Sequence, residues 1–157
     1  MTLPPRLREV LQLLPEATSV ADIGSGHGRL ALAAAALGAR VVATELTEAS
    51  FARLRADLAG GDDRVEARRG DGLAALAPGE VEVAVIAGLG GRGILRILDR
   101  APWLPHWLVL QPMQDPQLVA GWLSARGWPC TETRIAQRGR WYLGWRVEVP
   151  PGLGAAA

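Results

Sequence analysis

Lysine and asparagine are both absent from this chain of 157 residues, so all 17 of its basic residues are arginine. Without lysine, a Walker-type phosphate site and a Schiff-base nucleophile are excluded. Without asparagine, no base can be recognised through an asparagine amide. The single cysteine, Cys130, excludes an internal disulfide. Because only two histidines accompany it, we expect no metal site built from nitrogen and sulfur ligands.

Long apolar runs are also missing, and the longest, residues 30–37, is far shorter than the ~18 residues of a membrane-spanning helix. The first residues lack the basic and then apolar layout of a secretory signal. We therefore expect a cytoplasmic protein with no membrane partner. The hydrophobic share of 49% is enough to bury the core of one domain. The net charge of +1 neither requires nor excludes a nucleic-acid partner.

Short apolar runs alternate with helical patterns along most of the sequence. The apolar runs predict five buried strands, over residues 20–23, 40–45, 65–68, 83–87 and 107–110. Helical spacing and end signals predict five longer helices, over residues 3–14, 30–37, 48–58, 92–98 and 116–126. Thr47 and Asp115 are the predicted caps of two of these helices, and Gly127 is the predicted stop of the last.

After Gly127 the hydrophobic period changes to two. Alternate residues from Trp141 to Val147 share one face of a final strand, which turns back from residues 130–135. Strands that alternate with helices indicate a parallel sheet covered on both faces. We therefore expect one α/β, Rossmann-like domain over residues 1–150, with a mostly parallel sheet, a C-terminal antiparallel hairpin and a flexible tail at 151–157.

The end of the first predicted strand carries glycines at alternate positions. It reads Asp22-Ile23-Gly24-Ser25-Gly26-His27-Gly28, and the following helix directs its free N–H groups at this loop. The dinucleotide fingerprint requires a third glycine where Arg29 stands. A G-x-G-x-G series with an acid two residues earlier is instead typical of class I methyltransferases that use S-adenosyl-L-methionine (SAM). A glycine loop of this kind also occurs as an ordinary tight turn.

Two further acids stand at the ends of the next two predicted strands. Glu45 can accept hydrogen bonds from both hydroxyls of a ribose, and Asp71, between two glycines, can accept from an adenine amino group. Each also has an ordinary explanation, as a solvated strand end or a turn aspartate. Because the carboxyl ends of parallel strands share one edge, three such groups in succession favour SAM as the cofactor.

The segment after the fourth strand limits the methyl acceptor. Methyltransferases of exocyclic amines often carry Asp/Asn-Pro-Pro-aromatic there, but residues 87–91 offer no side-chain acceptor. No cysteine follows a strand where a nucleophile for cytosine would stand, and Cys130 is interpreted as a core residue. These residues fit an acceptor that is already nucleophilic, such as a ring nitrogen, which the site needs only to align and to shield from water.

Five strings occur in order along the chain: Pro5-Arg6-Leu7, Val20-Ala21-Asp22-Ile23-Gly24-Ser25, Gly70-Asp71-Gly72-Leu73, Ile86-Ala87-Gly88-Leu89-Gly90-Gly91 and Leu108-Val109-Leu110-Gln111-Pro112. Together they resemble the bacterial TrmK family, which methylates N1 of adenine 22 in tRNA with SAM. The resemblance spans roughly residues 3–148 and covers only the Rossmann-like part of that family. It implies a SAM-dependent tRNA adenine-N1 methyltransferase with tRNA as its partner.

The resemblance also implies roles for particular residues. The cofactor positions are Asp22, Gly24, Ser25, Gly26, Glu45, Asp71, Gly72, Ala87 and Gly88. The substrate positions are Gly90, Gly91, Gln111, Pro112, Arg92 and Arg96. His27 is the catalytic candidate, near the methyl group, with bonding to the loop backbone as its alternative role.

Two departures from the family pattern keep other functions open. Gly26 stands where the family usually has aspartate, and Met113 stands where it usually has asparagine. A degenerate SAM-binding module without transferase activity is one alternative. A small-molecule methyltransferase on the same fold is the other.

Arginine spacing predicts where RNA would bind. Arg92, Arg96 and Arg100 recur every four residues and form one basic stripe on the fourth predicted helix. Arg68, Arg69, Arg138 and Arg140 extend this stripe. Trp103 and Trp107 are the predicted base-stacking residues, whereas Trp141 and Trp145 are assigned to sheet packing. The alternative is that these arginines only solvate the surface of a protein that lacks lysine.

Overall fold

The computed structural model describes residues 2–152. Its strands are β1 (Ser19–Ile23), β2 (Arg40–Glu45), β3 (Val65–Arg69), β4 (Val83–Ala87), β5 (Trp107–Gln111), β6 (Cys130–Gln137) and β7 (Arg140–Glu148). Its helices are α1 (Pro5–Leu13), α2 (Arg29–Ala36), α3 (Glu48–Leu58), α4 (Gly91–Arg100) and α5 (Pro116–Arg126), with a short 3-10 helix at Gly72–Ala75. The expected order of elements is confirmed.

All of these strands belong to one seven-stranded sheet with the order β3-β2-β1-β4-β5-β7-β6. The first five strands are parallel, and β7 pairs antiparallel with both β5 and β6. The chain therefore reverses its direction of winding between β1 and β4. In sheets of this type a ligand binds outside the carboxyl ends of the strands at that reversal.

The sheet is packed on both faces, which explains why its central strands are apolar at successive positions. One face is covered by α1, α2 and α3, and its buried residues include Val10, Leu30 and Leu54. The other is covered by α4, α5 and the 3-10 helix, with Ile94 and Val119 in its core. Strands buried on both sides lose the alternation that marks a half-exposed strand. This packing holds the carboxyl ends of β1 and β4 side by side.

Of the two predicted side-chain caps, the one at Thr47 forms and the one at Asp115 does not. The Thr47 hydroxyl accepts from the N–H of Ser50, and the Ser50 hydroxyl completes a reciprocal cap at the start of α3. Helix α5 begins at Pro116 as expected, but Asp115 makes no capping hydrogen bond and adopts a positive φ of 51°. The prediction that Asp115 caps this helix is therefore wrong. Asp115 still occupies the N-cap position, and its backbone carbonyl packs against Gly91 at the start of α4.

Three side-chain predictions are also wrong, and each error concerns burial. Cys130 is exposed at the start of the edge strand β6 rather than in the core. Trp141, assigned to sheet packing, is 63% exposed. Trp103 cannot stack on a base because it is 2% exposed and its indole donates to the carbonyls of Leu73 and Leu76. Trp107 begins β5 and so lies at the amino edge of the sheet, away from the predicted site.

Within residues 2–152, no helix is long and apolar enough to cross a membrane. Most of the predicted tail, residues 153–157, lies outside the described residues.

Candidate active site

The glycine loop after β1 has the backbone conformation that its sequence predicts. Gly24, Gly26 and Gly28 have φ values of 69°, 64° and 76°, a region that side chains disfavour. The N–H groups of Gly24 and Ser25 both donate to the carbonyl of Thr44 on β2, at 3.1 and 3.0 Å. The loop is thereby fixed across the ends of β1 and β2, and α2 starts directly behind it.

A cavity of about 650 Å³ opens at the carboxyl edge beside this loop. Most of the residues predicted to surround the methyl donor lie around it, namely Asp22, Gly24, Ser25, Gly26, His27, Ala87 and Gly88. Two segments distant in sequence also line this cavity. They are residues 4–7 at the start of α1, and Gln137 with Arg138 at the turn between β6 and β7.

A second cavity, of about 180 Å³, adjoins the first. It is lined by Glu45 and Asp71, the two acids predicted for the nucleoside, and by Gly72. Gly24 and Leu89 line both cavities, so the two lie on either side of these residues. The site is thus an extended depression with a smaller compartment that contains Glu45 and Asp71 and a larger one that contains Asp22.

Asp22 supplies the negative charge of the larger cavity. Its carboxyl is 4% exposed, and Oδ2 accepts from the Ser25 hydroxyl at 2.7 Å. Burial raises the pKa of Asp22 to about 6, while the Ser25 hydrogen bond opposes this rise and the charge of Glu45 adds to it. A cation bound beside Asp22 would favour its ionised form.

Arg6 also lines this site, although no role was predicted for it from the sequence. Its Nη1 donates to Oε1 of Gln111 at 2.7 Å, and its backbone N–H donates to Oε1 of Gln137 at 3.0 Å. Its Nε is buried and has no hydrogen-bond partner within the described part of the chain. Burial lowers the pKa of this guanidinium, which nevertheless stays cationic at neutral pH. The string Pro5-Arg6-Leu7 was its only signal in the sequence.

The predicted substrate residues do not line the larger cavity. Gln111 is 0% exposed, and its Nε2 donates to the carbonyl of Pro112 at 2.8 Å. Since its Oε1 accepts from Arg6, the Gln111 amide holds Arg6 in place instead of facing the cavity. Pro112 and Gly91 are buried as well. The contact of these residues with substrate stays a prediction.

Gly91 has a packing role that a substitution can test. A Cβ at this position would overlap the carbonyl oxygen of Asp115 and lie 3.2 Å from that of Gln114. We expect Gly91→Ala to lower the free energy of unfolding by about 3 kcal/mol, because backbone atoms must move. Gly90→Ala is the matched control, since its Cβ would have no neighbour closer than 3.8 Å, and urea denaturation measures both. Equal stabilities would contradict the packing role.

His27 is paired with a side chain instead of the loop backbone. Its Nδ1 lies 2.6 Å from Oδ2 of Asp57 on α3, and its side chain is 60% exposed. It lines the larger cavity and also a third cavity, of about 380 Å³, whose wall includes Asp57. An acceptor at Nδ1 favours the tautomer that leaves the lone pair on Nε2. The catalytic role of His27 stays a prediction.

The predicted arginine stripe divides into residues with different surroundings. Arg96 lines the smaller cavity, and Arg100 lies 3.6 Å from the carboxylate of Asp71. Arg92 is exposed and lines neither cavity. Arg68 does not extend the stripe as a free cation, because Glu80 and Glu66 both bind its guanidinium. Arg138, by contrast, reaches the larger cavity.

The chain is similar in sequence to known methyltransferases. The model of a family described as "Methyltransferase domain" matches residues 3–143. A curated tRNA (adenine(22)-N1)-methyltransferase from Bacillus subtilis strain 168 is 35% identical over an alignment of 127 residues, and the match covers 75% of this chain and 52% of that protein. The chain thus spans about half the length of this curated relative.

Solved structures of tRNA methyltransferases are similar to this chain in fold. The crystal structure of the B. subtilis tRNA methyltransferase TrmK superposes with a TM-score of 0.84 at 28% identity, covering 95% of this chain and 67% of that one. A Streptococcus pneumoniae structure, described as a candidate tRNA adenine-22 methyltransferase in complex with SAM, has a TM-score of 0.82 at 27% identity, covering 94% and 73%. The Rossmann-like fold and the resemblance to TrmK proteins are confirmed.

Proposed function

Because this chain belongs to the methyltransferase domain family, we propose that it is an enzyme that transfers the methyl group of SAM to N1 of an adenine in tRNA. The observation that carries this proposal is the pair of adjoining cavities at the carboxyl edge. One holds Glu45 and Asp71, and the other holds Asp22 and Arg6. The relatives named for tRNA methylation share the fold that builds this edge.

The residues present fit SAM at each of its polar groups. Carboxylates of Glu45 and Asp71 are acceptors for ribose hydroxyls and an adenine amino group. Asp22 is an anion for the ammonium of the methionine part. The buried, unpartnered Nε of Arg6 is a donor that lacks an acceptor, and a carboxylate would supply one. The site therefore offers a group of suitable charge or hydrogen-bonding type to each part of the molecule.

Catalysis by this chain would consist mainly of positioning. When bound, SAM supplies an electrophilic methyl group on a positively charged sulfur. Neutral adenine already has a lone pair at N1, so no residue has to remove a proton before attack. Leu7 and Leu89 form apolar parts of the cavity wall and reduce access of water. His27, with Nδ1 held by Asp57, has Nε2 free to accept from the adenine amino group.

The proposal includes a macromolecular substrate and a cellular compartment. The partner is tRNA, and the reaction takes place in the cytoplasm. RNA binding is supported by Arg138 at the cavity and by the exposed arginines of α4. A SAM-binding module without transferase activity is the second candidate. It is favoured by Gly26, which provides no carboxylate at the cavity and around which a Cβ would meet nothing within 4 Å.

One experiment tests the proposal. The protein is incubated with methyl-labelled SAM and an unmodified tRNA transcript, and the nucleosides are separated by mass spectrometry. We expect label in 1-methyladenosine and a block to reverse transcription at one adenine, because an N1 methyl group occupies the base-pairing edge. Binding of SAM without any transfer would favour the second candidate. Failure to bind SAM would overturn both.

A further inference from the structure

The hairpin of β6 and β7 extends beyond the rest of the sheet. The last pairing of β7 with β5 joins Trp145 to Leu110, whereas β7 begins five residues earlier at Arg140. At the usual rise per residue, this part of the hairpin extends about 15 Å further. Because β7 runs antiparallel to β5, it extends from the carboxyl edge, where the two cavities lie. Arg138 at its turn lines the larger one.

The outer face of this hairpin carries an exposed aromatic ring. Trp141 is 63% exposed, and the guanidinium of Arg134 lies 4.8 Å from its ring centre. Ile135 and Tyr142, on the opposite face, pack against the core and hold the hairpin in place. A guanidinium on one side of the indole restrains the ring while leaving most of it open to solvent. The arrangement is an ordered, accessible stacking surface.

The hairpin is also positively charged. Arg134, Arg138 and Arg140 take part in none of the ion pairs formed among residues 2–152. Elsewhere in the chain, Arg64 and Arg68 are neutralised by neighbouring carboxylates. Glu132, the acid of β6, accepts from the indole of Trp145 instead of pairing with an arginine. Three unneutralised guanidinium groups therefore lie on the hairpin that carries the exposed Trp141, and one of them, Arg138, reaches the larger cavity.

We infer that this hairpin is a docking surface for the RNA substrate, on which Trp141 stacks against an unpaired base while Arg138 and Arg140 contact phosphates next to the target nucleotide. The inference rests on the proposed action on tRNA. Single-stranded RNA combines exposed bases with a backbone charge at every nucleotide, so it matches a tryptophan flanked by arginines. A nucleotide that enters the larger cavity brings its neighbours within reach of the hairpin.

The test compares the affinities of variants for a fluorescently labelled tRNA transcript by anisotropy. We expect Trp141→Ala to weaken binding about tenfold, and Trp141→Phe to retain most of the affinity because a ring remains. The double substitution Arg138→Gln/Arg140→Gln should lower the slope of log affinity against log salt by about 2. Affinity for SAM and thermal stability should stay at the wild-type values in the two Trp141 variants, because Trp141 does not line either cavity.

The matched control is the double substitution Arg53→Gln/Arg126→Gln. Arg126 also lies over a tryptophan ring, 3.6 Å from the centre of Trp122, but it ends α5 and so belongs to the amino edge of the sheet. The control should leave the salt slope nearly unchanged. If the hairpin variants bind tRNA as the wild type does while the wild type methylates it, the inference is wrong and the proposed function stands. If the wild-type protein neither binds nor methylates tRNA, both are wrong.

Discussion

Replacing Asp22 with Asn is expected to make the SAM-free protein more stable at neutral pH. Burial raises the pKa of this carboxyl from 3.8 to about 6, so the folded protein binds the proton more tightly than the unfolded chain. The contribution of Asp22 to stability is therefore most favourable below pH 4 and is lost as the pH rises from about 4 to 6. Above pH 6 the ionised carboxylate costs about 3 kcal/mol of folding free energy.

Asparagine removes that cost and keeps an oxygen to accept from the Ser25 hydroxyl. We expect Asp22→Asn to raise the free energy of unfolding by up to about 3 kcal/mol at pH 7.5, with the difference shrinking toward acidic pH. Urea denaturation at several pH values measures this. Asp63→Asn, at an exposed position, is the control and should change stability little. A variant less stable than the wild type at pH 7.5 would contradict the assigned cause of the pKa shift.

The same substitution should weaken SAM binding roughly a hundredfold, because the anion proposed to face the ammonium is lost. In the wild type the ionised form of Asp22 is the one that binds a cation. Affinity for SAM should therefore rise as the pH increases through about 6, and this rise should disappear in Asp22→Asn. Calorimetric titration across that range measures both effects. Wild-type affinity in the variant would remove Asp22 from the cofactor site.

Glu45→Ala is the second substitution with a large expected effect. Glu45 ends β2 and lines the smaller cavity, where its carboxylate is proposed to accept from the two ribose hydroxyls. Hydrogen bonds to a charged acceptor contribute about 1.5–3 kcal/mol each, so the loss of both should weaken SAM binding at least a hundredfold. The demethylated product, S-adenosylhomocysteine, has the same ribose and should lose affinity by the same factor.

Glu48→Ala is the matched control for this prediction. Glu48 has the same charge three residues further on, in the first turn of α3, but it does not line the cavity. It should leave both affinities within about twofold of the wild type, because only its long-range charge is removed. A loss of affinity for SAM but not for the product would show that Glu45 acts on the sulfonium and not on the ribose.

The strands and most helix ends follow from local features of the sequence. The predicted bounds of β2 and β4 match the structure at both ends, because β2 begins and ends at a charged residue and β4 is an apolar run between Glu82 and Gly88. The α3 cap was predictable because a threonine side chain and a nearby serine suffice to form it. The prediction of a side-chain cap at Asp115 was wrong because the backbone of Asp115 packs against Gly91 of α4, which lies more than twenty residues away in the sequence.

The location of the candidate site was likewise predictable from strand ends. The glycine loop, Glu45 and Asp71 each stand at or just after the end of a strand, and the parallel sheet brings those ends to one edge. Arg6 and the hairpin turn could not be placed, because α1 and β6 meet only after the sheet has formed. Burial of Gln111 likewise depends on the distant guanidinium that binds its amide.

By itself, the amino-acid sequence determined the alternation of strands and helices, the positive-φ loop and the acids at successive strand ends. These depend on hydrophobic period, turn chemistry and the shared direction of parallel strands, all of which are local or follow from one rule of topology. Only the tertiary structure decided which polar groups face the cavities, which tryptophan is exposed and which arginines lack partners. Those properties arise from contacts between segments far apart in the chain, and no local pattern encodes them.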